Sequence, residues 1–315
     1  MLPGRLGTFT VNFFFLLLCL SISNMVKHLP PAVKHLLSLR NPQSYPSPPL
    51  QKLNDAFTKT FRDAQLKKAE TGWLVLTTCT LLTANRPSTV GHLYRYVTRG
   101  AEKNDHFHVQ SAVNKAALMR ESALKSVIFV GVPRVILSLA ALHEALDDEV
   151  KQSLRTESRR TATSENIEFT VKRGRSLWDS IYAPHADKLH DKLGSYHPDF
   201  ISFIIQSYGT ILAPMPGNTK TYLESVSTED LSQGNLSRAL GSVVGIATLR
   251  SEGRVGPQLV SHVFGLLKAR YAEAQNEEDA WLSTDEGTEW VIRTVDEIFD
   301  AVSSEGKDDR TQVKL

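Results

Sequence analysis

The chain has 315 residues, of which 41% are hydrophobic and 22% are charged, so it carries enough apolar side chains for a large folded core. Its 36 basic and 34 acidic residues leave a net charge of +2, which gives no electrostatic reason to expect nucleic acid as a partner. The sequence contains no zinc-finger, P-loop or dinucleotide-binding fingerprint, and we expect neither a cofactor nor a bound metal ion.

The first 54 residues contain no acidic side chain and hold two segments typical of targeting sequences. Residues 1–24 include VNFFFLLLCL, which is too short to span a bilayer comfortably and is typical of a signal peptide or of an extension before an alternative start. Residues 25–50 begin at Met25, are basic and partly amphipathic as transit peptides are, and end in a Pro-rich linker. We therefore hold a mitochondrial and a secretory location open, and expect no integral membrane span beyond the first segment.

Helical periodicity begins near residue 51, where Leu53, Phe57 and Phe61 recur at four-residue spacing. The stretch GWLVLTTCTLL that follows fits a buried strand or a buried helix, and the absence of alternation nearby favours a helix. Its Cys79 has apolar neighbours, and we interpret it as a buried small hydrophobe. If the first segment is removed, one thiol remains, and no intrachain disulfide can form.

The clearest element is LMRESALKSVIFVGVPRVILSLAALHEAL, residues 118–146. Apolar stripes at helical spacing on either side of Gly131 predict two helices joined by a tight corner at Gly131-Val132-Pro133. Residues 147–175 are polar and charged, which predicts a flexible connector. The helical pattern resumes over 176–302, and 303–315 are expected to form a disordered tail.

Two segments far apart in the chain align without gaps. RPSTVGHLYR, residues 86–95, and GPQLVSHVFG, residues 256–265, align with Pro87 on Pro257 and His92 on His262. The same offset pairs apolar positions before and after the histidines, so the order of elements favours a duplication. We predict an all-α fold of two repeats, over 50–146 and 176–302, that form an internal pseudo-dimer about an approximate two-fold axis.

The segments WLVLTTCTLLTANRPSTVGHLYRYVTRG and ALMRESALKSVIFVGVPRVILSLAALHEAL together resemble a carboxymuconolactone decarboxylase-like unit. The second half, with YHPDFISFIIQSYGTIL and LSRALGSVVGIATLRSEGRVGPQLVSHVFGLLKA, resembles the unit again. The resemblance implies the all-α fold shared with alkyl hydroperoxidase D (AhpD), and the tandem arrangement is similar to a fungal-type branch often described as mitochondrial. Single-repeat relatives self-associate, so self-association of this chain stays open.

The chain departs from the peroxidase branch of that family, which needs a C-x-x-C motif with a histidine four residues after the second cysteine. Ser88 lies four residues before His92, and Gln258 lies four residues before His262. The resemblance therefore does not imply thiol peroxidase activity. The second half also lacks a counterpart of the corner at Gly131-Val132-Pro133.

The resemblance implies three candidate catalytic residues, which are the helix-borne His92 and His262 and the glutamate Glu121. Decarboxylation needs a proton delivered to carbon as carbon dioxide leaves, and a histidine that titrates near neutral pH suits that step. Each residue also has a structural interpretation. A lone histidine on a helix is often a core residue, and Arg120 and Glu121 could be solvated charges at a helix start.

Three further residues are candidate substrate-binding groups. On a helix, Arg95 and Tyr96 lie on the same face as His92, and Arg95 could hold a substrate carboxylate through two hydrogen bonds. Gln258 lies one turn before His262 and could orient its ring.

Two functions remain open from the sequence. The missing cysteines and the lost second corner favour a non-catalytic organellar helical protein that keeps the fold for assembly or partner binding. The paired histidines beside arginines favour a cofactor-free acid–base enzyme of the decarboxylase, lyase or isomerase type. Its substrate would be a small carboxylated metabolite, for example in a biosynthetic tailoring pathway.

Overall fold

The structure is a computed structural model that describes residues 28–39, 43–99, 109–217, 219–222, 224, 230, 233–273 and 275–303. These residues form fourteen α-helices, one π-helical turn and no strand, so the predicted all-α class is confirmed. The apolar segment 1–24 and residues 304–315 of the predicted tail lie outside the described residues. Within the described ranges, no helix is both long enough and apolar enough to cross a membrane.

The chain divides into two compact units, Met1–Ser44 and Tyr45–Leu315. In the first unit, the described residues include one helix, α1 (Pro31–Ser38), whose side chains are all exposed. The second unit contains α2 (Leu50–Leu66), α3 (Glu70–Thr83), α4 (Pro87–Arg99), α5 (Val109–Val130), α6 (Val132–Ala145), α7 (Asp148–Ser153), α8 (Ile167–Tyr182), α9 (Ala186–Tyr196), α10 (Pro198–Ser207), the π-helical turn (Tyr208–Leu212), α11 (Arg238–Glu252), α12 (Gly256–Ala269), α13 (Glu277–Leu282) and α14 (Asp285–Ser303).

Helices α3 and α11 pack against each other at the centre of the second unit. Every residue of α3 from Thr71 to Thr83 is buried, and α11 is buried over most of its length. Burial around the whole circumference is characteristic of a helix enclosed by other helices. Because α5 and α14 each pack against both central helices, the two predicted repeats share one hydrophobic core.

The two halves of the second unit contain corresponding helices in the same order. Helix α4 follows α3 and α12 follows α11, and both α4 and α12 carry a proline in the first turn. The Thr78 hydroxyl donates to the Leu74 carbonyl at 2.7 Å, and the Thr248 hydroxyl donates to the Val244 carbonyl at 2.7 Å. These pairs match at the sequence offset of the histidines, which favours a duplication, whereas the internal pseudo-dimer itself stays a prediction.

The predicted corner between two helices is confirmed. Helix α5 ends at Val130, Gly131 has a φ of 81°, and Pro133 lies in the first turn of α6. Such a positive φ is a backbone conformation that glycine adopts without steric cost.

The expected flexible connector over 147–175 instead contains α7 and the first half of α8. Val150 and Leu154 are buried in the main core, and they attach this charged segment to the rest of the unit. The sequence did not predict these two buried positions, because two apolar residues among many charged ones are too few to make a periodic pattern.

Helix α8 crosses the segment formed by α10 and the π-helical turn at two glycines. A Cβ atom on Gly174 would overlap the carbonyl oxygen of Ile205, and one on Gly209 would overlap the carbonyl oxygen of Thr170. Both opposing groups are backbone, so neither can move aside as a flexible side chain would. Helix α8 can therefore approach the segment of α10 and the π-helical turn this closely only because both positions are glycine.

The substitution Gly174→Ala is expected to lower the free energy of unfolding by about 3 kcal/mol or more, because the new methyl group has no space at the crossing. Gly194→Ala in α9 is the matched control, since its Cβ would meet Ile201 at an ordinary 3.7 Å. That change should stabilise the helix by up to about 1 kcal/mol. Urea unfolding of both variants measures the difference, and equal effects would contradict the close crossing.

Candidate functional site

His262 lies on α12 with 2% of its surface exposed. The ring of Phe129 on α5 meets the imidazole edge-on, with ring centroids 5.1 Å apart. Gly245 on α11 leaves room for the imidazole, because a Cβ atom at that position would overlap Nδ1. In the described part of the chain, Nδ1 has no hydrogen-bond partner. The ring is therefore held by packing.

Burial lowers the pKa of His262 to about 4, and the nearby charge of Arg238 acts in the same direction. The imidazole is neutral at pH 7, and a group with so low a pKa is a weak general base near neutrality. The cavity that touches the ring measures about 10 Å³, which is room for about one water molecule. This position does not have the properties that a general acid for decarboxylation requires.

Sequence reasoning chose the wrong neighbour for His262. Gln258 is exposed, and no hydrogen bond joins it to His262 in the described structure. The polar neighbour is Arg238 at the start of α11, which donates from Nη1 to the Ser242 hydroxyl at 2.6 Å and from Nη2 to the Gly265 carbonyl at 3.1 Å. Arg238 comes from the sequentially distant start of α11, so the local pattern around His262 gave no signal for it.

His92 lies on α4 and is partly exposed. Burial lowers its pKa, and the charge of Arg95 lowers it further. Arg95 itself is exposed, while Tyr96 donates to the Thr58 hydroxyl at 3.1 Å and packs its ring against Phe57. Tyr96 therefore joins α4 to α2. As the sequence predicts, His92 has more polar surroundings than His262.

Glu121 lies in the middle of α5 and is 7% exposed, so the interpretation as a solvated charge at a helix start is wrong. Arg160 donates from Nη1 to Oε2 at 3.3 Å and from Nη2 to Oε1 at 2.5 Å. Lys125, one helical turn later, places its Nζ 3.5 Å from Oε1. The carboxylate is thus held between two cations inside the protein.

Lys125 is a central polar residue that sequence reasoning missed. Its side chain is fully buried, and Nζ donates to the carbonyl oxygens of Ile211, Leu212 and Ala213 at 3.0, 2.8 and 3.1 Å. The last carbonyls of a helix have no intrahelical partner, and the ammonium group supplies one. Burial lowers the pKa of Lys125 to about 8, and Glu121 opposes that shift, so the lysine remains mostly charged at pH 7.

A cleft of about 510 Å³ lies beside the narrow cavity at His262, and Ser237 and Arg238 line both. Asp279 of α13 also lines the cleft, is 5% exposed and accepts a hydrogen bond from the Ser237 hydroxyl at 2.8 Å. Burial raises the pKa of Asp279 to about 6, although that hydrogen bond acts in the opposite direction. The segment EEDAWL gave no sign of this, because acidic residues are common in the first turn of exposed helices.

The structure keeps the predicted catalytic residues in separate surroundings. His262 contacts Phe129, Glu121 contacts Arg160, and none of the described contacts joins His92, His262 or Glu121 to one another. Cys79 is confirmed as a buried small residue, since Ser126 donates to its Sγ at 3.4 Å and burial raises its pKa to about 12.

Comparisons with protein-family models, with curated proteins and with solved structures found no match. Function therefore has to be inferred from the geometry of the described residues.

Acidification should destabilise the protein through His262. Its pKa is about 4 in the folded protein and about 6.5 when unfolded, so the unfolded chain takes up the proton first as the pH falls. The contribution of the neutral His262 ring to the free energy of unfolding is fully present above pH 6.5. It is lost as the pH falls toward 4, by an amount on the order of 3 kcal/mol. Urea unfolding between pH 7 and 4 should show a shallower loss for His262→Leu than for the wild type. His92→Leu, whose ring is only partly desolvated, should change the slope less, and equal slopes would contradict this account.

Replacing Glu121 by glutamine should strongly destabilise the protein. The change leaves Arg160 and Lys125 buried without a neutralising carboxylate, which costs about 3–5 kcal/mol. Glu297→Gln is the matched control, because Glu297 pairs with Lys59 at 2.8 Å where both side chains are largely exposed. That control should lose less than about 1 kcal/mol. Chemical denaturation of both variants tests the difference.

Proposed function

We propose that this chain is a non-catalytic helical protein that works by binding rather than by acid–base chemistry at His92, His262 or Glu121. The observation that carries the proposal is that His262 and Glu121 are both buried and in contact with other groups of the protein. The His262 ring is packed between Phe129 and Gly245, and the Glu121 carboxylate is bound by Arg160 and Lys125. A proton donor has to reach its substrate, and both side chains are enclosed by other groups of the protein.

The resemblance to carboxymuconolactone decarboxylase-like units agrees with such a role. The resemblance covers the helices and the corner at Gly131, which are features of the fold. Function depends on the site and not on the fold, so a shared helical pattern carries no activity with it. Burial of Cys79 and the raised pKa of its thiol likewise leave no reactive thiol among the described residues.

One observation favours the second candidate, a cofactor-free acid–base enzyme acting on a small carboxylated metabolite. The cleft of about 510 Å³ has the size of a small-molecule site and is lined by Arg238 and Asp279. Arg238 could bind a carboxylate, and a carboxyl group with a pKa of about 6 could exchange a proton near neutral pH. In that case Asp279, which sequence reasoning did not select, would be the acid–base residue.

A turnover screen with the full chain distinguishes the two candidates. The chain is incubated with carboxymuconolactone and with a panel of small lactone and β-keto carboxylic acids, and carbon dioxide release is followed. Asp279→Asn is the variant for the cleft, and His262→Leu and Glu121→Gln are the variants for the predicted residues. We expect wild-type release to equal release by all three variants and by buffer alone.

Turnover that is lost in Asp279→Asn, and that falls as the pH rises through about 6, would support the enzyme at the cleft, because the protonated carboxyl group is the proton donor. Turnover that is lost in His262→Leu, while the circular dichroism spectrum is unchanged, would overturn the interpretation of that histidine as structural. In both cases the non-catalytic role would be rejected.

A further inference from the structure

Positive charge accumulates where α5 meets the segment 154–160 and the π-helical turn. Six cationic side chains influence one another electrostatically there, and the carboxylates within the group are Glu121 and Asp230. The six are Arg120, Lys125, Arg155, Arg159, Arg160 and Arg173. Several cations held together in a partly buried place repel one another unless an anion lies among them.

Most of these cations are bound by groups of the protein. Arg160 and Lys125 hold Glu121, Arg173 donates from Nε to the Gly209 carbonyl at 3.0 Å, and Arg159 donates from Nη2 to the Pro216 carbonyl at 2.6 Å. The carboxylate of Asp230 also lies 3.7 Å from the ammonium group of Lys220, outside the group of six. Among the described residues, two carboxylates thus lie within a group of six cations.

Among the described ion pairs, Arg120, Arg155, Arg159 and Arg173 have no carboxylate partner. Arg120 and Arg155 differ from the other two in their hydrogen bonds. Within the described ranges, Arg120 donates to the carbonyl of Arg155 at 3.3 and 3.4 Å, which are long distances for hydrogen bonds. Arg155 donates from Nη1 to the Glu157 carbonyl, while its buried Nε has no hydrogen-bond partner in the part of the chain that the structure describes. Their proximity lowers the pKa of Arg120, after the larger effect of burial. A buried donor without a partner is rare and calls for an explanation.

A cavity of about 140 Å³ lies between these two arginines. Its lining combines both guanidinium-bearing side chains with apolar groups from α5 and α6, together with Glu121 and Gln233. The apolar members are Ala117, Leu124 and Leu139. Since Glu121 is paired with Arg160 and Lys125, these two cations offset the repulsion between its carboxylate and an anion in the cavity.

We propose that this cavity binds the oxyanion group of a small molecule, a carboxylate or a phosphate, through Arg120 and Arg155. The planar fork of a guanidinium group matches both anions with two parallel hydrogen bonds. The volume admits a short carboxylic acid or a phosphate and is smaller than sites for drug-sized ligands, which measure about 300–1000 Å³. The apolar side chains lower the local dielectric constant and strengthen the attraction.

The proposal rests on the proposed binding role and names its ligand class, but the two fail separately. Turnover in the screen described above would reject the non-catalytic role without affecting anion binding in this cavity. Absence of anion binding would reject the anion site in this cavity and would leave the non-catalytic role unaffected.

Isothermal titration calorimetry of the full chain with inorganic phosphate, and in a second arm with malonate, tests the proposal. Sodium chloride at equal ionic strength controls for screening. We expect saturable binding of phosphate or malonate but not of chloride, and the stronger arm identifies the anion. Arg120→Gln and Arg155→Gln should each weaken that binding tenfold or more. Arg293→Gln, an exposed arginine on α14, is the matched control and should bind as the wild type does.

Arg120→Lys and Arg155→Lys keep the charge but lose the fork, so they keep the test decisive if a glutamine variant does not fold. They should weaken binding at least several-fold while their urea midpoints stay near that of the wild type. Absence of saturable binding in both arms, or unchanged affinity in the folded Arg120 and Arg155 variants, would overturn the proposal.

Discussion

The buried ammonium group of Lys125 is the contact on which the arrangement of the second unit depends. It lies on α5, which packs against both central helices, and it binds three consecutive carbonyls at the end of the π-helical turn. Through those carbonyls it joins the main core to the smaller apolar cluster around Trp178 and Tyr208. A buried cation is tolerated only when its charge and its hydrogen bonds are satisfied, so the position of the turn and the carboxylate of Glu121 follow from the lysine.

The same residue types have different chemistry in this protein because their surroundings differ. His262 is neutral in an apolar core, whereas His92 is partly solvated beside Arg95. The carboxylate of Glu121 is bound between two cations, whereas Asp279 accepts a hydrogen bond from the Ser237 hydroxyl, and burial raises its pKa to about 6. Residue identity and helical position alone therefore do not show how a carboxylate is surrounded in the folded protein.

The helices and the corner at Gly131 could be predicted from sequence because their signals are local. Apolar residues at helical spacing, a glycine at a helix end and a proline in the first turn act within a few residues. The polar contacts could not be predicted in the same way. Arg160 lies 39 residues from Glu121, and the carbonyls bound by Lys125 lie 86 to 88 residues from it.

Long-range packing likewise escaped prediction around His262. The glycine that makes room for its ring is on α11, and the phenylalanine that meets its edge is on α5. Neither lies in the segment that aligns with His92, so the shared histidine spacing carried no information on burial. The helices within 147–175 were missed for a related reason, because their few buried residues stand among many charged ones.

The packing of α3 against α11 has a consequence for the synthesis of the chain on the ribosome. Helix α3 is buried on all sides, yet its main partner begins only at Arg238, roughly 170 residues after α3 starts. At a synthesis rate of about 5–20 residues per second, α3 emerges roughly ten to thirty seconds before that partner exists. During this interval its apolar surface has to be covered by incomplete neighbours or by a chaperone. The nascent chain is therefore most prone to aggregation after its first half has been synthesised and before α11 emerges.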